Sequence, residues 1–243
     1  MRSFLIALQF LTRIPVPALA DISEAETGRS LLYYPLVGVV IGLLLVGLNM
    51  LLVNAPDGLQ AALLLAAWVL ITGILHLDGL ADSADAWLGG LGDKERTLAI
   101  MKDPRSGPAA VVLIVLLLLI KFAALQALVS EDHWSVLILA PLLARTSLPL
   151  LFQTTAYVRP GGLATVVAQH ISWRGGILLP LLVCFAIIVS LGWHAAAPVI
   201  AALAAFVLLR AMMIKRLGGT TGDTAGALVE VIETVVLVIA VLI

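Results

Sequence analysis

Seven long apolar segments dominate the sequence, and most of them approach the length needed to cross a bilayer. Hydrophobic residues occupy 62% of the 243 positions and charged residues only 12%, whereas soluble domains are about 45–50% apolar. The sequence therefore predicts one domain over residues 1–243, an all-α polytopic transmembrane helical bundle of about seven spans. The predicted spans are Tyr34–Val53, Leu59–Leu75, Ala109–Val129, Ser135–Gln153, Ile177–Gly192, Ala195–Ile214 and Thr224–Ile243.

The N-terminal segment imitates a signal peptide but carries features that disfavour one. The apolar run Phe4–Leu11 follows Arg2, yet Arg13 and two prolines precede the small residues of the would-be cleavage site. The run is also too short for a span, which takes about 20 residues. We therefore expect an amphipathic helix at the membrane surface, with a cleaved signal as the alternative.

The basic residues alternate between the loops. They precede the first span and lie between the second and third, fourth and fifth, and sixth and seventh spans, whereas the other loops contain no Lys or Arg. The positive-inside rule then predicts a cytoplasmic N-terminus and an external C-terminus. A net charge of −1 gives no field that would favour nucleic acid.

Four aspartates mark the cytoplasmic end of the predicted bundle. Asp78, Asp82 and Asp85 are spaced to share one face of a helix, and Asp103 lies in the loop that follows. Close carboxylates repel each other unless a proton or a cation compensates them. We expect all four to bind Mg²⁺, with Mn²⁺ as an alternative, and the metal to neutralise a pyrophosphate. Asp78 and Asp82 are also catalytic candidates, with Asp78 acting as ligand or base; ordinary loop aspartates are the alternative.

Three further side chains are candidates for chemistry. His76 is a candidate general base or a partner of an aspartate, although a histidine satisfied by backbone or water explains it equally well. Arg105 is placed to clamp a phosphate. Arg145 lies near the middle of a span, where substrate contact and an ion pair with Glu230 or Glu233 both remain open.

A glycine- and threonine-rich loop, Gly218–Asp223, stands just before the last span. Backbone amides in such a loop form an anion-binding nest at a helix N-terminus. Gly219, Thr221, Gly222 and Asp223 are therefore candidate phosphate contacts. An ordinary helix cap is the alternative, because Asp and Thr favour that position.

The segment His76–Asp85 resembles the cobalamin synthase family, the adenosylcobinamide-GDP ribazoletransferases. The resemblance extends to Thr12–Pro17, Tyr34–Gly38, Met101–Gly107 and Gly218–Ala227. It implies a Mg²⁺-dependent inner-membrane enzyme of late vitamin B12 synthesis, which joins adenosylcobinamide-GDP to α-ribazole or α-ribazole 5′-phosphate and releases GMP. Its implied partners are these small molecules and membrane lipid, with a homo-oligomer left open and no nucleic acid expected.

A more distant likeness connects the chain with the CDP-alcohol phosphotransferases. Asp82 and Asp85 match the first aspartate pair of their pattern, and Asp103 falls at the spacing of the third aspartate. Ala86 and Gly107 depart from that pattern, which has Gly and Asp at these positions. A CDP-alcohol lipid phosphotransferase is therefore one alternative function. An ion-coupled transporter that uses the intramembrane charges is another, although the chain shows no internal repeat.

Overall fold

The computed structural model describes residues 1–131, 133–159, 165–166 and 173–243. Within these ranges the chain is helical and contains no β-strand, only an isolated bridge between Tyr157 and Thr220. The predicted all-α bundle is confirmed. Its helices are α1 (Arg2–Leu11), α2 (Glu24–Ser30), α3 (Tyr34–Leu51), α4 (Asp57–Thr72), α5 (Leu75–Gly89), α6 (Lys94–Ile100), α7 (Pro108–Ser130), α8 (Val136–Thr154), α9 (Trp173–Leu191), α10 (Ala196–Leu217) and α11 (Gly222–Leu242).

Five helical segments of the described chain are long and apolar enough to cross a membrane, and they contain α3, α7, α8, α10 and α11. A sixth is reached only if α4 and α5 are counted together, and these two are bent by 88°. The predicted fifth span falls on α9, in which the apolar stretch of described residues is Gly175–Leu191. The predicted loop Thr154–Gly176 lies partly outside the described residues.

The central contacts of the bundle join α8 to α3 and α11 to α5, α7, α8 and α10. Gly38 and Gly42 let α3 approach α8 closely, since a Cβ at either position would lie 2.5 Å from the Pro141 carbonyl oxygen or the Ile138 Cα. These two glycines form a close-packing face on α3. Gly47 does not belong to it, because a Cβ there would meet nothing within 4 Å.

The helix α1 packs against α2 and α3 and does not stand apart from the bundle. The Phe4 and Tyr33 rings meet edge to face at 6.1 Å, and Phe10 stacks on Tyr34 at 6.2 Å. The Arg2 Nε lies 3.0 Å from a Glu26 carboxylate oxygen. A short N-terminal helix is therefore confirmed, while its position at a membrane surface stays a prediction.

A sharp break between α4 and α5 carries α5 across one end of the bundle. Gly73 and Ile74 both adopt left-handed backbone angles, with φ of 62° and 66°. The Ile74 N–H donates to the Val69 carbonyl at 3.2 Å and the Gly73 N–H to that of Leu70 at 3.1 Å, the bonding of a Schellman-type helix end. The aspartate helix is thus held at the bundle end and does not continue the span before it.

Candidate active site

Two glycines bring the aspartate helix α5 against the start of α11. A Cβ at Gly79 would lie 2.7 Å from the Asp223 carbonyl oxygen, and a Cβ at Gly226 would lie 3.3 Å from the His76 Cα. This contact places Asp223 beside the aspartates of α5. The sequence predicted Asp223 as a phosphate contact. The fold places it beside Asp78, Asp82 and Asp85, and we call these four residues the acidic group.

Asp82 lies at the centre of this group. It is half-buried and close enough to Asp223, Asp78 and Asp85 to be repelled by each carboxylate, while Arg159 is the nearby cation that compensates them. The Arg159 Nη1 donates to an Asp223 carboxylate oxygen at 2.6 Å. Sequence reasoning used Arg159 only to orient the chain, because nothing in the sequence links it to a residue 64 positions away.

Asp85 faces a different neighbour. Its two carboxylate oxygens accept hydrogen bonds from the Gly107 N–H at 2.5 Å and the Ala110 N–H at 3.0 Å. Gly107 is the N-cap residue of α7 and Ala110 lies in its first turn, where backbone donors have no partner within the helix. Asp85 therefore caps α7 from α5, and any metal it holds would be bound by its remaining lone pairs.

Asp103 and Arg105 pair with each other on the exposed loop before α7. The Arg105 Nε and Nη2 donate to the two Asp103 oxygens at 2.9 and 2.6 Å. These hydrogen bonds, together with one from the Arg105 backbone N–H, lower the pKa of Asp103 to about 2. Arg105, the predicted phosphate contact, is therefore bound to Asp103, the predicted metal ligand.

The donor chemistry of the acidic group fits a hard divalent cation, because carboxylate oxygens that repel each other are what such an ion neutralises. Asp78, Asp82 and Asp223 supply these oxygens. Among the described residues, however, no three His, Cys, Asp or Glu side chains are already gathered around a common point. Binding would therefore require these side chains to move together.

The loop before α11 is held by backbone hydrogen bonds to the segment after α8 and by a helix cap. The Thr220 N–H donates to the Ala156 carbonyl at 2.8 Å, and the Val158 N–H donates to the Thr220 carbonyl at 2.9 Å. Gly219 permits this pairing, because a Cβ there would collide with the Ala156 carbonyl oxygen. Thr221 is fully buried and forms a reciprocal cap with Thr224. These contacts favour the helix-cap interpretation for Gly219 and Thr221.

A cavity of about 180 Å³ opens beside the acidic group. Beside the acidic group its polar lining comes from His76 and Asp78 of α5 and from Asp223 of α11, with Gly222 next to them, and Thr27, Ser30 and Tyr34 add hydroxyl groups from α2 and α3. The apolar remainder comes from α1, α3, α5, α8 and α11, with Ile6, Phe10 and Phe152 among its residues. The cavity thus unites four of the predicted site residues with a surface suited to an apolar part of a ligand.

A network of buried charges lies on the inner side of His76. The Lys121 Nζ lies 2.6 Å from Glu230 Oε2 and 2.5 Å from Glu233 Oε2. The Arg145 Nη1 contacts Glu233 Oε1, to which the Trp68 Nε1 also donates at 3.2 Å. Arg145 is wholly buried and paired, so the structure favours the ion-pair interpretation that the sequence left open.

Comparison with known proteins gives one consistent result. The family model described as Cobalamin-5-phosphate synthase matches residues 3–241. Proteins named Adenosylcobinamide-GDP ribazoletransferase from Pseudomonas paraeruginosa and Pseudomonas aeruginosa are each 56% identical over 240 residues, covering 98% of this chain and 97% of theirs. One of the same name from Pseudomonas fluorescens is 55% identical over 238 residues, covering 98% of both chains. No solved structure matches significantly.

Proposed function

The chain belongs to the cobalamin-5-phosphate synthase family, and we propose that it joins adenosylcobinamide-GDP to α-ribazole or its 5′-phosphate and releases GMP. The family model and relatives that share more than half of its residues over nearly the full chain support this activity. The observation that best supports a site for this activity is the cavity lined by His76, Asp78, Gly222 and Asp223.

The reaction breaks a phosphoanhydride bond and forms a phosphate ester bond. A hydroxyl of ribazole attacks the phosphorus that carries cobinamide, its O–P bond forms, and the bond from that phosphorus to the GMP oxygen breaks. Such a transfer depends on positioning and on stabilising charge at the phosphoryl oxygens. Asp78, an exposed carboxylate at the cavity, is the group best placed to accept the hydroxyl proton.

Magnesium, with manganese as the alternative, is proposed to accompany the diphosphate. Asp82 and Asp223 would hold it, assisted by Asp85 and Asp103, and Asp78 would be a further ligand where it does not serve as the base. When bound, the ion would neutralise the diphosphate and the charge that develops on the leaving GMP. Arg159 compensates the acidic group and balances Asp223 through their ion pair. Arg105 is exposed and can exchange Asp103 for a phosphate.

We further propose that the site faces the cytoplasm from the inner membrane. Lys and Arg residues outside the predicted spans lie in the segments on the side of the site, the distribution that the positive-inside rule describes for cytoplasmic loops. Exposed apolar side chains of α7, including Val112, Leu116 and Leu119, supply a surface for membrane lipid.

The test is reconstitution of the purified protein in liposomes with Mg²⁺, adenosylcobinamide-GDP and α-ribazole 5′-phosphate. GMP and a cobalamin product should form in equal amounts, EDTA should stop both, and excess Mg²⁺ should restore both. GMP without a joined product would make the protein a hydrolase. CMP release from a CDP-activated lipid and an alcohol, with no reaction of the cobinamide substrate, would favour the lipid phosphotransferase instead.

A further inference from the structure

His76 stands between the cavity and the buried charges. It lines the cavity, yet only 3% of the residue is exposed. Its Nδ1 lies 3.5 Å from the Arg145 Nη2. Arg145 is in turn held by Glu233, which also accepts from Trp68 and Lys121. The imidazole is therefore joined on one side to a fixed, paired guanidinium.

The chemistry of arginine decides which ring nitrogen carries the proton. A guanidinium has five N–H donors and no acceptor. A nitrogen that bonds to it can only accept, so a hydrogen bond across the 3.5 Å between Arg145 Nη2 and Nδ1 of His76 leaves this Nδ1 without a proton. A neutral imidazole has a single N–H, and this N–H is then at Nε2. A general base needs a free ring nitrogen, and this arrangement leaves none.

The charges around Arg145 explain how the guanidinium is held there. Lys121 and Arg145 balance Glu230 and Glu233, so the buried group is neutral as a whole. The carboxylate of Glu233 meets Arg145 through one terminal nitrogen and leaves the other for His76. Arginine can make both contacts at once, because its nitrogens form a planar fork that an ammonium group lacks.

We propose that His76 is a hydrogen-bond donor to an anionic oxygen of the diphosphate substrate, and that Arg145 and Glu233 are positioning residues that fix its Nε2–H tautomer. The proposal rests on the function proposed above, which brings a diphosphate into this cavity. A fixed N–H aimed at developing charge stabilises a transition state at no cost in reorganisation. His76 is thereby assigned a role as donor instead of the general base considered from the sequence.

Two variants of His76 separate a donor from a base. Glutamine is long enough to place an amide N–H near the position of Nε2, whereas asparagine reaches only the region of Nδ1. We expect His76→Gln to keep kcat within about tenfold of the wild type and His76→Asn to lose about 10²–10³-fold, the cost of removing one such donor. Equal losses in two variants that fold like the wild type would overturn the proposal, as would no loss in either.

The tautomer itself is measured without turnover. In protein labelled with ¹⁵N-histidine, the His76 signals, identified by their absence from His76→Gln, should show a protonated Nε2 and a bare Nδ1. Arg145→Lys keeps a cation beside Glu233 but removes the fork, and it should produce a mixture of tautomers, which a merely structural role of Arg145 would not. A wild-type proton on Nδ1, or an unchanged tautomer in Arg145→Lys, would overturn the assignment.

The same spectra distinguish this proposal from the proposed function. Added GDP, which supplies the diphosphate without cobinamide, should shift the Nε2 signal of His76 and leave Nδ1 unchanged. If GDP leaves Nε2 unmoved while the wild type forms cobalamin, the donor role is wrong and the function stands. If Nε2 responds to GDP but no joined product forms, the function is wrong and the diphosphate contact stands.

Discussion

At the scale of single residues, the predicted metal ligands differ in what surrounds them. Asp85 accepts two backbone N–H groups of α7, and Asp103 accepts the guanidinium of Arg105. Asp82 is instead surrounded by other carboxylates, so its charge is the one that a bound cation would most relieve. Replacing Asp82 should therefore affect the protein differently from replacing Asp85.

Asp82→Asn should abolish turnover and leave the thermal midpoint in detergent unchanged, because removing a repelled charge costs the fold nothing. Asp85→Asn should lower the midpoint as well as turnover, because an amide has only one acceptor oxygen for two N–H groups of a helix start, a loss of about 1 kcal/mol. Turnover and midpoint measured on both variants decide this. Wild-type turnover in Asp82→Asn would remove this residue from the site.

The pKa of Asp103 makes a prediction about pH. Arg105 holds this pKa at about 2, below the ordinary value of 3.8, so the carboxylate stays charged as the pH falls from 8 to 5. Any contribution from its charge is lost only as the pH falls through about 2. Asp103→Asn should therefore lower activity by the same factor at pH 8, 6 and 5. A factor that shrinks towards pH 5 would show that the wild-type carboxylate is protonated in this range.

The contacts between residues of the site differ in how far apart the two partners lie in the sequence. Helical spacing was enough to predict that Asp78, Asp82 and Asp85 share a face, because they lie within two turns of one helix. The pairing of Arg159 with Asp223 spans 64 positions, and that of Arg145 with Glu233 spans 88. The sequence suggested Glu230 or Glu233 as a partner of Arg145, because charges inside a span are usually paired. It gave no such signal for Arg159, since the partner of a loop residue depends on which helices pack together.

At the scale of helices, the close approach of α5 and α11 makes the site. Hydropathy predicted where each apolar segment lies, because the apolar composition of a segment is enough to identify it as a candidate span. It did not predict that α4 stops at Thr72 and that the chain then turns through 88°. The turn depends on the left-handed backbone of Ile74, a conformation that its apolar side chain does not signal.

Gly79→Ala should lower both stability and turnover, because the new methyl group would lie 2.7 Å from the Asp223 carbonyl oxygen. Relieving that overlap requires the two helices to separate, at a cost of about 1–3 kcal/mol, and the separation moves Asp223 away from Asp82. Gly47→Ala is the matched control, since it adds the same methyl group in an open place on a helix. Thermal midpoints and turnover should fall for Gly79→Ala only. Equal behaviour of the two variants would contradict the tight contact.

At the scale of the whole molecule, the ends of the bundle are tied by different residues. One end is closed by the Gln60 Nε2, which donates to Asn49 Oδ1 at 2.8 Å, and by the Ser130 hydroxyl, which donates to Asp57 at 2.7 Å. The other end holds the acidic group, α6 and the loop before α11. The helices that run between these two ends are α3, α4, α7, α8, α9, α10 and α11. The contacts therefore divide the loops into the same two groups as the alternation of charge does.

This arrangement predicts which positions are accessible from outside the cell. The chain has one cysteine, Cys184, so Cys184→Ser yields a cysteine-free background for single-cysteine labelling. In intact spheroplasts a membrane-impermeant maleimide should label Asn54→Cys and Ile243→Cys, which lie at the end away from the site. Lys94→Cys, on α6 beside the site, should react only after permeabilisation, because positively charged loops stay in the cytoplasm.

Labelling of Lys94→Cys in intact spheroplasts would reverse the orientation. Labelling of Asn54→Cys without Ile243→Cys would instead show that the chain crosses the membrane an even number of times between its ends.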